Sequence, residues 1–167
     1  MRTVASLTLA FGCLVAALFI IPSAAAASGK ARVDDRERAM VRGINNQRAR
    51  YGLGSVRISS RLARAADYHS WEMLHADFFA HTSRNGDSFD RRVRRYANHR
   101  ALGETLAMVS SCGRGSARTV VRMWMNSPGH RAILLSSKFS RVGVAKRSGS
   151  LNGNRACLVT ADFGSRK

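Results

Sequence analysis

The chain has 167 residues, 45% hydrophobic and 23% charged, and its 28 basic residues against 10 acidic ones give a formal charge of +18. That length suits one domain and excludes a two-domain enzyme, while the apolar fraction excludes a disordered polar tail. Three cysteines without a C-x-x-C pair exclude a small disulfide-framework scaffold, a zinc ribbon and a thioredoxin-like site, so the core is built by apolar packing.

The amino terminus reads as a secretory signal. Arg2 is followed by an apolar run from Val4 to Ile21, then Pro22 and the small residues Ser23 to Ser28. These parts predict a signal peptide over residues 1–27, cleaved after Ala26 or Ala27, with 28–33 as linker and 34–167 as the folded domain. The competing reading is an uncleaved N-terminal membrane anchor, because 18 apolar residues at about 1.5 Å each approach the hydrocarbon thickness of a bilayer. The alanine-rich exit favours cleavage. Cleavage makes the protein secreted or periplasmic, and either reading places the folded part outside the cytoplasm. The apolar run continues past Cys13, which argues against lipidation there and leaves Cys112 and Cys157. An even pair in an oxidising compartment predicts one disulfide, the alternative being two buried free thiols.

Four amphipathic helices follow. Asp34 with Glu37 forms a capping box, and Met40, Ile44, Gln47 and Tyr51 lie on one stripe of a helix that stops before Gly52. A second helix starts at Ser59 or Ser60 and carries Leu62, Ala66, His69 and Met73 to about Ala76. A third, short and basic, follows Asn85-Gly86-Asp87-Ser88, with Phe89, Val93 and Tyr96 as its apolar side. It holds the densest basic run, Arg91, Arg92, Arg94 and Arg95, which reads as a solvated helix face. The excess charge therefore has two readings: guanidiniums scattered over a solvated surface, or a field that attracts phosphate, anionic lipid or acidic polymers. A fourth helix begins at Ser116 with Ala117, Val120, Val121 and Trp124 inward, and Ser127-Pro128 reads as an N-cap with proline at the first position of a short helix.

The period then changes. Glu104 to Val109, Val142 to Val144 and Cys157 to Phe163 read as strands, and Ser148 to Asn154 as the loop between the last two. Helices first and strands last predict an α+β domain with an antiparallel sheet.

Of the five histidines, none has the i,i+3 or i,i+4 partner that a one-helix metal site needs, and His69 and His99 read as hydrogen-bonded structural residues. His81 follows Phe78-Phe79-Ala80, where two buried aromatics would leave the imidazole pointing out. His130 lies in the first turn of the short helix, where the dipole disfavours its protonated form. Glu104, beside Gly103, is one of the chain's few acids.

Five segments then carry a resemblance: Phe78-Phe79-Ala80-His81-Thr82, Gly103-Glu104-Thr105-Leu106-Ala107, Trp124 through Ser127-Pro128-Gly129-His130-Arg131, Val142-Gly143-Val144 and Asp162-Phe163-Gly164. In this order they resemble the CAP superfamily (SCP domain) in its bacterial secreted branch. The resemblance implies a three-layer α-β-α sandwich with a central antiparallel sheet. It also implies a cleft in which His81, His130 and Glu104 converge, a place that holds zinc or another divalent cation in some relatives. Two positions depart from the family pattern: Thr105 replaces an asparagine, and Ser127 stands where animal and plant members carry a second cleft glutamate. Trp124 and Phe163, although inside motifs, read as core.

The function expected is a secreted monomer acting as a binding module for lipid, an anionic surface polymer or a partner protein, with peripheral membrane contact. Nucleic acid is not an expected partner, because no recognition-helix or RNA-binding signature is present. The alternative is a peptidase-like hydrolase in which His81 or His130 is the general base and Glu104 orients it or holds a metal. Ser83 and Ser127 are poor nucleophile candidates, since no G-x-S-x-G elbow exists and Ser127 reads as a cap.

Overall fold

The computed structural model describes residues 34–113 and 115–166. The signal peptide and linker expected over 1–33 lie outside the described residues. The elements in chain order are α1 (Asp35–Arg50), β1 (Arg57–Ile58), α2 (Ser60–His75), α3 (Phe89–Arg94), β2 (Leu102–Val109), α4 (Ser116–Asn126), α5 (Pro128–Leu134), β3 (Arg141–Leu151) and β4 (Asn154–Gly164). No helix among the described residues is long and apolar enough to cross a membrane.

One four-stranded sheet, ordered β1-β3-β4-β2, forms the middle layer. Its β3–β4 and β4–β2 ladders are antiparallel, but the two-residue edge strand β1 runs parallel to β3, so the sheet is mixed rather than purely antiparallel. The strand period of two sorts β4 between the layers. Cys157, Val159, Ala161 and Phe163 pack with Met40 and Ile44 of α1, Val120 and Trp124 of α4 and Leu134 of α5. Ala156 and Leu158 point the other way, against Met73 of α2. A satellite cluster of Leu62, Ala65, Val93 and Ala97 joins α2 to α3 on that face. This is the α-β-α sandwich the motifs imply.

Glycine lets α2 lie on the sheet. A Cβ at Gly143 would come 1.9 Å from the Ala63 backbone nitrogen, so no other residue fits without separating helix from strand. The stretch read as a loop, Ser148 to Asn154, is instead the tip of a long β3–β4 hairpin. Asn152 and Gly153 both have positive φ, 49° and 75°, which matches a two-residue turn of the type that Asn-Gly favours. Ser148, Gly149 and Ser150 are exposed strand residues, so their polarity reported solvent rather than irregular structure.

Helix ends mostly agree with the sequence. The Asp34–Glu37 capping box is present, and Ser59 Oγ accepts from Leu62 N. The stripe of α1 is rotated from its expected position: Arg48 is buried, whereas Gln47 is only partly buried and Tyr51 is 49% exposed. Ser127 ends α4 and begins α5, but its hydroxyl makes no cap hydrogen bond, so the reading of Ser127 as a capping side chain is corrected. Pro128 starts the helix instead, since its fixed φ suits the first helical position. The Cys112–Cys157 disulfide is formed, with Cα atoms 5.3 Å apart, joining the loop before α4 to β4.

Candidate functional site

Glu104 is where the site begins. It lies on the α2 side of β2, opposite Asp162 of β4, and its side chain is wholly buried. Its Oε1 accepts from His81 Nδ1 at 2.8 Å, and its Oε2 is paired with Nη2 of Arg92. Arg92, itself fully buried, also donates through Nη1 to the His81 carbonyl and to Ser83 Oγ, each at 3.0 Å. One guanidinium thus holds both the carboxylate and the loop that carries the histidine.

The same loop is tied from α2. His69 is buried, with Nδ1 3.1 Å from Glu72 Oε2 and Nε2 2.8 Å from the Ala80 carbonyl. Glu72 Oε1 accepts from the Arg84 amide at 3.0 Å. His69 is structural, as its sequence context implied. His99 is as well, with Nδ1 2.6 Å from the Ser165 carbonyl. Phe78 packs inward against Met73 and its neighbours, but Phe79 is 42% exposed, so only one of the two aromatics anchors the loop.

His130 approaches from the opposite layer. Its ring centroid is 6.5 Å from that of His81, with 50° between the planes. It rides on α5, and α5 is clamped by the buried Arg48. That guanidinium donates to Leu134 O and Ser136 O at the end of α5, to Phe139 O beyond it, and to Gly54 O, at 2.8–3.2 Å. Carbonyls left over at a helix end thereby receive a cationic donor. Trp124 and Phe163 are core, and Trp124 Nε1 donates to Leu106 O at 2.9 Å.

The electrostatics divide the two acids. Burial opposes ionisation of Glu104, but the His81 hydrogen bond and the Arg92 charge outweigh it and hold its pKa below the ordinary range. Burial first, and the Glu104 charge second, push Asp162 well above its ordinary value, and neither of its carboxyl oxygens makes a hydrogen bond. Glu104 carries the charge and Asp162 the proton. His130 is lowered by burial and then by the His81 charge, so its ring is neutral, as its place in the helix predicted but for a different first cause.

The three residues expected from sequence therefore meet, but not as three metal ligands. Both Glu104 oxygens are committed, to His81 and to Arg92. Among the described residues no three His, Cys, Asp or Glu side chains are grouped so as to hold a metal ion. The donor set on offer is two imidazoles with a carboxylate behind one of them, which does not fit the three-ligand site that the resemblance implies. Arg92, Asp162 and Glu72 were missed as site residues. Asp162 stands inside the Asp162-Phe163-Gly164 segment, and Arg92 lies between Phe89 and Tyr96 on the apolar side of α3. The reading of the run Arg91 to Arg95 as a solvated face is therefore corrected for Arg92, which is fully buried.

The comparisons with known proteins decide the family. The model of the cysteine-rich secretory protein family matches residues 41–162. The chain belongs to this family, the CAP family. Among curated proteins it is 31% identical over 126 residues to the uncharacterized protein YkwD of Bacillus subtilis (strain 168), covering 74% of this chain and 48% of that one. It is 31% identical over 98 residues to the uncharacterized membrane protein YlbC of the same organism, covering 58% of this chain and 27% of that one. The chain thus spans about half, or less, of these CAP relatives' lengths. Among solved structures, an outer surface protein from Borrelia burgdorferi shares the CAP fold with a TM-score of 0.68 at 20% identity, covering 81% of this chain and 96% of that one. An extracellular SCP-domain protein from Bacillus anthracis str. Ames has a TM-score of 0.62 at 25% identity, covering 77% and 40%.

Proposed function

We propose that this CAP-domain chain is an extracytoplasmic binding module whose ligand is an anionic surface, either acidic cell-surface polymer or anionic lipid. In this reading His81 and His130 face the ligand, and the surrounding arginines supply attraction. The observation that carries it is the commitment of both Glu104 oxygens, one to His81 and one to Arg92. The site offers an oriented, half-exposed imidazole beside a second one, with its negative charge already neutralised behind them. A chain charge of +18 draws anions in, and the His81 Nε2 is left to accept from hydroxyl groups such as those of a sugar or a glycerol headgroup.

Sedimentation of the purified protein with vesicles of mixed phosphatidylglycerol and phosphatidylcholine tests it. Binding is expected at low salt, to fall steeply as ionic strength shortens the screening length from about 30 Å toward 3 Å, and to weaken in His81→Ala and His130→Ala. Binding that ignores salt overturns the reading.

A second reading, hydrolysis, is favoured by one observation: Glu104 holds His81 through Nδ1, leaving Nε2 toward solvent as a general base requires. Turnover of a peptide library that disappears in both His81→Ala and Glu104→Gln would support it over binding alone.

A further inference from the structure

We propose that the outer edge of β3 receives an extended acidic segment of a partner protein, added to the sheet as a further strand beside α2. β1 uses that edge only at Arg141 and Val142, while β4 occupies the other side of β3 along its whole length. Val142 accepts from the Ser59 amide there, and in an antiparallel strand the outward amides and carbonyls recur at every second residue. Lys146, Ser148 and Ser150 therefore turn theirs outward. The Lys146 amide is directed at the Glu37 carboxylate, whereas those of Ser148 and Ser150 have no partner among the described residues. This edge shares no residue with the His81–Glu104–Arg92 network, and the proposal does not depend on the reading of His81 and His130.

The stretch lacks the devices that protect a sheet edge. Ser148, Gly149 and Ser150 are exposed, uncharged and continuous in register with β4, with neither a proline nor a bulge. A hollow of about 480 Å³ runs along it, between β3 residues 146–150 and Trp71, Leu74 and His75 of α2. Successive side chains of a strand point to opposite faces, so a hollow lined by five consecutive residues follows the backbone edge rather than one face. Trp71 lies 4.3 Å from the His75 ring and 5.6 Å from that of Tyr68, yet is 38% exposed, and so forms an aromatic shelf beside the hollow.

The chemistry of the two sides names the occupant. On the α2 side Asp67 neutralises Arg147 through two bonds of 2.7 Å, and Gly149 adds no side chain beneath Leu74, which leaves Trp71 and Leu74 as an apolar wall. On the other side the Lys146 Nζ is buried and has no hydrogen-bond partner among the described residues, although the Asp34 and Glu37 charges act on it from beyond bonding distance. Arg155, across the ladder from Ser150, makes no ion pair among the described residues. A strand of alternating apolar and acidic residues sets the first kind against Trp71 and Leu74 and the second toward Lys146 and Arg155, while its backbone pairs with Ser148 and Ser150. A second copy of this chain would set one charge of +18 against another, and residues 1–33 hold Arg2, Lys30 and Arg32 but no acid, so neither complements this edge.

The test is fluorescence anisotropy at fixed ionic strength with a dye-labelled heptapeptide of alternating glutamate and valine, read beside amide shifts of the protein. Saturable binding is expected, with shifts centred on Ser148, Ser150 and Trp71. The same peptide with every backbone amide N-methylated has no strand donors and should bind about tenfold more weakly or worse. A peptide with lysine in place of glutamate should lose as much, since its charge meets Lys146 and Arg155. Ser148→Pro, which removes only an outward amide, and Trp71→Ala, at an exposed position, should each weaken binding severalfold. Arg118→Ala with Arg122→Ala, at exposed positions on α4, should leave it unchanged. If Ser148→Pro does not fold, the methylated peptide decides without it. Undiminished binding of the methylated or the lysine peptide, or no saturable binding at all, overturns the proposal; a dimer in sedimentation velocity that Ser148→Pro dissolves overturns it in favour of a second copy.

Discussion

Glu104 and Asp162 face each other across the β2–β4 ladder, both buried, one holding a charge and the other a proton. Their opposite shifts give the fold a pH signature. A carboxyl whose folded pKa is raised keeps its proton in the native state while the unfolded chain has lost it, so stability falls as pH rises above the unfolded value of about 4. Asp162→Asn removes that loss without changing shape. Urea denaturation from about pH 4 to pH 8 should show the variant gaining on wild type as pH rises; a constant difference across that range contradicts the assignment of the proton.

Glu104 contributes with the opposite sign. Its pKa is held down, so the stability it supplies is present above the unfolded value and is lost as pH falls through the folded one. Glu104→Gln leaves the Arg92 guanidinium buried without its counter-charge and should cost about 3–5 kcal/mol in denaturant melts. Adding Arg92→Met should recover much of that loss. A double variant as unstable as the sum of the singles would show that the two do not act as a pair.

Helices and strands were legible where local chemistry and tertiary packing agree. The Asp34–Glu37 box, the Ser59 cap and the Ser116 to Trp124 stripe all appear where periodicity puts them. The hairpin tip was misread because Ser148, Gly149 and Ser150 are strand residues facing solvent, with α2 close above: a Cβ at Gly149 would meet Leu74 at 3.0 Å. His81, Glu104 and His130 were legible through their motifs. Arg92 stands on the apolar side of its helix, but within a run that reads as a solvated basic face. Arg48 was not legible, because a buried arginine has the same letter as a surface one and its acceptors lie far along the chain. Arg48 reaches carbonyls 86 to 91 residues away.

Arg48 gives the next prediction. With four carbonyl acceptors and no carboxylate beside it among the described residues, it acts as a clamp between α1 and the end of α5. Arg48→Met should cost about 2–5 kcal/mol, since bonds from a charged donor count for about 1.5–3 kcal/mol each before compensation. Hydrogen exchange should accelerate most at the amides of α5 and the segment to Phe139. Uniform acceleration across all helices would deny the clamp a local role.

The disulfide closes a 45-residue separation between Cys112 and Cys157. In the chain-entropy account a loop of that size adds about 3–4 kcal/mol, so Cys112→Ser with Cys157→Ser should melt at clearly lower denaturant with the fold retained. A midpoint unchanged by the double substitution would place the stabilisation elsewhere.

The most direct test of the site is the tautomer of His81, read by long-range proton–nitrogen correlation at a pH where the ring is neutral. An orienting Glu104 predicts the proton on Nδ1 with Nε2 bare in wild type, reverting to a mixture in Glu104→Gln. A proton on Nε2 in wild type, or a ring indifferent to Glu104→Gln, would mean that the carboxylate does not hold the imidazole and that the binding face is not built as described.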